Sequence, residues 1–228
     1  MIHYHGTPIT PNAQLERMGG RNFCVSFARP DNLERCLRIG QSVMLDNGAF
    51  STWKRGAPFD EAGYYEWLEP ILAAPHWAVI PDKIDGTLAD QQAFLGRWPR
   101  ETFGYANCAP VFHLHMPMEH LHFLVSAYPK VCLGSSGEYA EIGTPHWTRR
   151  MDEIFDFLAK RRVMPWIHGM RMLGQCDGPW PLASADSTNV AQNFKIRTGC
   201  ADCLAGRIDR VQPASKWVGA AQAALEME

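Results

Sequence analysis

The sequence predicts an α/β fold, read here as a compact single-domain (β/α)8 TIM-like barrel, and three observations predict it. Eight short runs rich in β-branched and aromatic residues, at 2–5, 23–27, 42–46, 77–81, 109–113, 131–134, 163–167 and 182–186, alternate with segments of helical period. At 228 residues the chain can bury one sizeable core. Seven of the eight runs end on, or just before, His5, Asp46, Asp82, His113, Gly134, His168 or Asp186. A parallel barrel gathers such strand ends at its C-terminal mouth, where its active sites lie. An open doubly wound sheet is the competing architecture.

Between the strands, apolar residues recur at helical spacing over 31–39, 60–73, 88–97, 117–127 and 146–161. The clearest case is 151–158, where Ile154, Phe155 and Leu158 share one face. Asp60 is placed to cap the helix that follows it, and Asp31 to cap the helix that ends before Gly40. Beyond the eighth strand, Lys195, Arg197, Arg207 and Arg210 mark a basic extension at about 190–212 that also holds Cys200 and Cys203. An Ala-rich helix is expected at 214–226. No internal repeat or low-complexity linker divides the chain, so 1–228 reads as one domain.

Composition narrows the function classes. A hydrophobic fraction of 46% with 20% charged residues is ordinary for a soluble globular protein. No apolar run approaches the roughly 18 residues of a membrane span, and Met1-Ile2-His3-Tyr4-His5 lacks a signal-peptide pattern, so a cytoplasmic location is expected. A net charge of −2 argues against nonspecific nucleic-acid binding over the whole surface, while leaving room for a local basic strip. Gly-x-Gly-x-x-Gly and Walker-type loops are absent from the sequence. The odd cysteine count, seven, with Cys24, Cys108 and Cys132 in or beside apolar runs, points to reduced core thiols.

Two segments carry the strongest chemical signal: Leu45-Asp46-Asn47-Gly48-Ala49-Phe50-Ser51 and Ala185-Asp186-Ser187-Thr188-Asn189. Each sets an aspartate after an apolar run and before turn-forming residues, as a strand-end nucleophile or base requires. The histidines permit a different class. His3 and His5 alternate on one strand and so point the same way, and with His168 and Asp186 they resemble the amidohydrolase metal constellation, implying metal-assisted hydrolysis. His120 and His122 are read as helix-surface residues. A third class is a noncatalytic nucleic-acid module, whose best phosphate contacts are Arg207 and Arg210; most other basic residues read as solvated helix faces. Trp53, just after the first aspartate segment, is the tryptophan placed to touch substrate.

Taken in order, the motifs resemble the tRNA-guanine transglycosylase superfamily over roughly residues 40–190. Leu45-Asp46-Asn47-Gly48-Ala49-Phe50 is similar to the family's Asp-Ser-Gly-Gly-Phe segment, and Ala185-Asp186-Ser187-Thr188-Asn189 to the segment of its nucleophile. The latter looks closest to the Asp-Ser-Thr form of the DNA 7-deazaguanine transglycosylases (DpdA type) of phages and bacterial islands. Val79-Ile80-Pro81-Asp82, Leu133-Gly134-Ser135-Ser136-Gly137-Glu138 and Ile167-His168-Gly169-Met170 look like the intervening family segments.

The resemblance implies exchange of guanine for a 7-deazaguanine base in nucleic acid, with DNA favoured over tRNA, through a covalent aspartyl intermediate. It assigns Asp186 as nucleophile and Asp46 as general acid/base. Asp82 would bind the pyrimidine edge of the base beside Gly134 and Ser135, Met170 would lie on one purine face and Phe50 on the other, with His168 nearby. Lys195, Arg197, Arg207 and Arg210 are the nucleic-acid candidates. Pro110-Val111-Phe112-His113 replaces the family's Val-Gln-Gly-Gly strand, which leaves His113 as the substitute for its glutamine. The chemistry needs no cofactor. Structural zinc is the open question, because Cys200 and Cys203 supply only two of four ligands and Cys176 or His146 would have to complete the set. Incidental thiols are the alternative. A membrane partner is not expected, and a homodimer is compatible with this reading.

Overall fold

The computed structural model describes residues 1–161 and 165–219. Among the described residues the apolar runs form nine strands: β1 (Ile2–Gly6), β2 (Asn22–Ser26), β3 (Ser42–Asp46), β4 (Trp77–Val79), β5 (Cys108–Ala109), β6 (Val111–His113), β7 (Lys130–Gly134), β8 (Trp166–Gly169) and β9 (Ser184–Ser187). They pair in parallel in the order β5-β4-β3-β2-β1-β9-β8-β7-β6, a nearly closed barrel whose open seam lies between β5 and β6.

The seam has a covalent cause. Residues 109–113, expected as one strand, are divided at Pro110, which has no N–H for a ladder. Before the break, the Ala109 carbonyl accepts from Ile80 N at 2.9 Å; at the break, the Pro110 carbonyl accepts from Cys132 N at 2.9 Å. One continuous piece of chain therefore faces β4 first and β7 next. The eighth-strand region also differs from expectation at its start: β9 runs over Ser184–Ser187, and β8 over Trp166–Gly169, so His168 lies within a strand instead of after it. Residues 163 and 164 of the expected 163–167 strand lie outside the described residues.

The strands alternate their side chains between two layers. Tyr4, Cys24, Met44, Trp77, Val79, Ala109, Val111 and Cys132 pack together inside the barrel. Their neighbours Phe23, Val25, Val43, Leu45, Ala78, Ile80, Val131, Leu133 and Ala185 join the larger core beneath the helices. That outer layer consists of α1 (Asn12–Glu16), α2 (Leu33–Ile39), α3 (Ala49–Lys54), α4 (Glu61–Leu68), α5 (Leu88–Arg97), α6 (Arg100–Phe103), α7 (Met118–Ala127), α8 (Pro145–Lys160), α9 (Asn189–Arg197) and α10 (Ala201–Ile208). α8 buries Trp147, Met151, Ile154, Phe155 and Leu158, the stripe that its sequence predicts. No described helix is long and apolar enough to cross a membrane.

Several local expectations change. Asp60 caps α4 by accepting from Gly63 N at 3.0 Å, but that helix stops at Leu68 and not at 73. Asp31 does not cap α2; it pairs with Arg29 at 3.2 Å, and the cap position is Asn32, whose side chain is drawn away to accept from Ile9 N at 2.8 Å. His120 is buried against Phe112 rather than on the helix surface. The basic segment at 190–212 holds α9 and α10, whose Val190, Phe194, Ala201, Leu204 and Ala205 are buried in the main core. Cys200 and Cys203 are not reduced; they form a disulfide at the start of α10 with Cα atoms 5.2 Å apart. Of the helix expected at 214–226, residues 214–219 are not helical and 220–228 lie outside the described residues.

Tyr64 ties this outer layer to the strands that position the mouth. Its fully buried hydroxyl donates to the carbonyls of Leu45 on β3 (3.1 Å) and Val79 on β4 (2.7 Å). Tyr64→Phe removes the donor while keeping the ring, so unfolding free energy should fall by about 1–3 kcal/mol in a urea titration. Wild-type stability in that variant would contradict the assignment.

Candidate active site at the barrel mouth

The three aspartates of the sequence motifs meet at one cavity. Asp46 ends β3, and the turn after it is built from its own side chains: Gly48 N donates to Asp46 Oδ2 (3.1 Å) and Ala49 N to Asn47 Oδ1 (2.8 Å). Gly48 has φ +77°, and a Cβ there would stand 2.9 Å from Ala28 Cβ, so both conformation and space require glycine. The turn leads into α3, which sets the exposed Phe50 and Trp53 rings side by side at the rim, their centroids 5.7 Å apart. Ser26 lies opposite Asp46 in the β2–β3 register. Burial pushes the Asp46 carboxyl up to about 6; the Ser26 hydroxyl draws it down, and the charges of Asp186 and Asp82 raise it again.

Asp82 sits just beyond β4 with both oxygens engaged. Oδ1 accepts from Asn47 Nδ2 at 2.7 Å, and Oδ2 faces His113 Nε2 at 2.9 Å. Asp186 is held differently. Its Oδ1 accepts from the Arg171 backbone N–H at 2.7 Å and faces His168 Nε2 at 3.2 Å, whereas Oδ2 has no hydrogen-bond partner among the described residues. Arg171 reaches Asp186 through a left-handed backbone, φ 59°, which a non-glycine residue adopts at a cost of about 1–3 kcal/mol. Its guanidinium then donates to Ser135 O at 3.0 Å and lies 4.2 Å from the Phe50 ring centre.

The cavity at the mouth has a volume of about 200 Å³. Asp46, Phe50, Asp82, His113, Gly134, Ser135, Met170 and Asp186 all line it, so eight residues singled out from sequence converge. His168 does not line it. It is fully buried beneath Asp186, with Nδ1 2.8 Å from Ser184 Oγ and its ring packed against Trp77. Lys195, Arg197, Arg207 and Arg210 do not line it either; Arg197 and Arg207 border a separate cavity between α9 and α10. The cations that do border the mouth are Arg29 and Arg171. Arg171 was legible only as the residue after Met170, since nothing in the sequence shows its backbone conformation.

Neither metal expectation finds a ligand set. Tyr4 is inside the barrel, so the alternating His3 and His5 face outward, where His3 Nδ1 and His5 Nε2 each lie 3.0 Å from Asp209 Oδ1. They are thus on the opposite side of the sheet from His168 and Asp186. Cys200 and Cys203 are bonded to each other; Cys176 is buried beside Arg197 and Arg207, and His146 pairs with Glu138 at 3.1 Å. Among the described residues no group of three or more His, Cys, Asp or Glu side chains is placed to hold a metal ion. These donors do not fit the structural zinc of the tRNA enzymes.

The raised Asp46 carboxyl predicts a specific stability profile. A group that holds its proton more tightly when folded contributes full stability below its unfolded value, near 4, and loses that contribution as pH rises through about 6. Asp46→Asn should therefore be more stable than wild type at pH 7, by about 1–3 kcal/mol, with the gap closing towards pH 4. Urea titrations at the two pH values check this, and an equal gap at both would refute it.

No protein-family model matches this sequence, and no curated protein matches it.

Proposed function

We propose that the protein is a guanine transglycosylase that exchanges guanine for a 7-deazaguanine base in nucleic acid, on a (β/α)8 barrel whose fifth strand is interrupted at Pro110. The observation that carries this reading is the unequal treatment of three carboxylates around one base-sized cavity. Asp186 keeps Oδ2 open, Asp46 is pushed up to about 6, and Asp82 is clamped from both sides. A carboxyl that burial makes hold its proton more tightly, beside a second carboxylate with a free oxygen, suits a divided acid and nucleophile role.

In this mechanism Asp186 Oδ2 attacks C1′ of the target nucleotide as the glycosidic bond breaks, giving a glycosyl ester. The departing guanine takes a proton from Asp46. The incoming base loses its N9 proton to Asp46 and attacks C1′, and the ester breaks to regenerate Asp186. Hydrogen bonds from Arg171 N–H and His168 fix Oδ1, so the free oxygen is aimed without side-chain reorganisation. Phe50 and Met170 offer faces for a flat ring. The cavity of about 200 Å³ is smaller than the roughly 300–1,000 Å³ of drug-sized sites and suits a single base. A base reaches it only after leaving the stack, and Arg29 and Arg171 are the cations best placed for the phosphates beside it.

DNA is favoured over tRNA because the Asp186-Ser187-Thr188 segment looks like the DNA-type form and the zinc ligands of the tRNA enzymes have no counterpart set among the described residues. His3 and His5 face away from Asp186, which disfavours the hydrolase reading. Incubation with radiolabelled 7-deazaguanine bases and either duplex DNA or tRNA tests the proposal. Label should enter DNA with wild-type protein and fall by at least about 10²-fold with Asp46→Asn. Label in neither nucleic acid would overturn it.

A further inference from the structure

Behind the cavity, a chain of hydrogen bonds leads away from Asp82. His113 Nε2 lies 2.9 Å from Asp82 Oδ2, and His113 Nδ1 lies 2.9 Å from Ser136 Oγ. Ser136 Oγ in turn lies 3.0 Å from His115 Nδ1, and His115 Nε2 meets the Gly86 carbonyl at 3.4 Å. Asp82, His113 and Ser136 are buried, and His115 is half-buried. Gly137, at φ +59°, lets the chain pass so close that a Cβ there would stand 3.3 Å from the His115 ring.

We propose that Asp82, His113, Ser136 and His115 form a proton relay joining the carboxylate in the cavity to the half-buried edge of His115. Ser136 carries one hydroxyl proton and touches two imidazole nitrogens, so it donates to one and accepts from the other. Three arrangements then satisfy every contact. In the first, Asp82 is ionised, His113 carries its proton on Nε2, Ser136 donates to His113, and His115 is a cation donating from both nitrogens. In the second, Asp82 is protonated and donates to His113 Nε2, His113 carries its proton on Nδ1 and donates to Ser136, Ser136 donates to His115 Nδ1, and neutral His115 donates from Nε2 to Gly86. The third differs from the second only in that the shared proton sits on His113, which is then a cation donating from both nitrogens to ionised Asp82 and to Ser136.

The three arrangements hold the same number of protons. The first becomes the third when one proton leaves His115 Nδ1 for Ser136 and one leaves Ser136 for His113, and the third becomes the second when one leaves His113 Nε2 for Asp82. No heavy atom has to move. A charge pair becomes a neutral pair, so the field at the cavity sets which form prevails. The groups that contribute to that field are Asp46 and Asp186 across the cavity, Lys83 and Asp90 on the Gly86 side, His120 behind His113, and Glu138 beyond Ser136. When a base fills the cavity it covers Asp82 on that side, and the relay then joins Asp82 to the half-buried His115. Its use in base exchange rests on the function proposed above; its existence does not.

Long-range 1H–15N correlation spectra of the imidazoles across a pH series test the relay directly. In wild type, His113 and His115 should titrate with shared, two-step curves. Ser136→Ala should separate them into independent single steps, and His115→Gln, which keeps an amide donor for Ser136, should remove one step from His113. Independent titration in wild type, or curves unchanged in both variants, would overturn the proposal. In the exchange assay, Ser136→Ala should lower kcat about tenfold and shift its pH profile while leaving KM close to wild type. Coupled titration in a protein that exchanges no base would refute the transglycosylase reading and uphold the relay.

Discussion

Three carboxylates confined around a single cavity repel one another, and the rest of the mouth is arranged to bear that cost. Placing like charges close together in a partly dry site is unfavourable unless hydrogen bonds or protons offset it. Each aspartate is offset in its own way. Asp186 receives a backbone N–H and a buried histidine, Asp82 receives Asn47 and His113, and Asp46, which receives Gly48 N–H, is driven by burial and then by the other two charges to hold its proton more tightly. The chemical differences among the three follow from this division, not from their positions alone. It also explains why supporting groups extend so far back: Ser184 behind His168, and Ser136 with His115 behind His113.

The outward-facing side of β1 shows the same physics without a cavity to serve. His3 and His5 share one oxygen of Asp209, whose other oxygen pairs with Arg21, and Arg21 also reaches Asp202 at 2.6 Å. Burial pushes the Asp209 carboxyl up, but hydrogen bonds from both histidines and the Arg21 charge together draw it well below the usual carboxylate range. This cluster fastens the residue after α10 to β1 and β2. It gives the two histidines a structural role in place of the metal-binding one that their alternation suggested.

Much of the mouth was legible in the sequence because strand-end chemistry leaves a local mark. Asp46, Asp82, Gly134 and Asp186 each follow an apolar run, and a parallel barrel brings such positions together whatever the details of packing. What escaped depends on side-chain direction and on backbone shape. His168 was placed at the cavity because its strand was expected to end at 167; the strand continues to Gly169, and the ring points down into the interior. Arg171 owes its place to a left-handed backbone that no residue pattern announces. The basic residues at 195–210 read as a binding strip by charge, yet the apolar residues among them dock α9 and α10 on the core. Pro110 was visible from the start, and its missing N–H accounts for the seam between β5 and β6.

The central claim is that Asp186 Oδ2 becomes covalently bonded to the sugar. Intact-mass analysis after denaturing quench of the protein with guanine-containing oligonucleotide, followed by peptide mapping, measures this directly. The account predicts a protein–nucleic-acid adduct that maps to the peptide carrying Asp186 and is absent in Asp186→Asn. An adduct on another residue, or one that persists in Asp186→Asn, would contradict it.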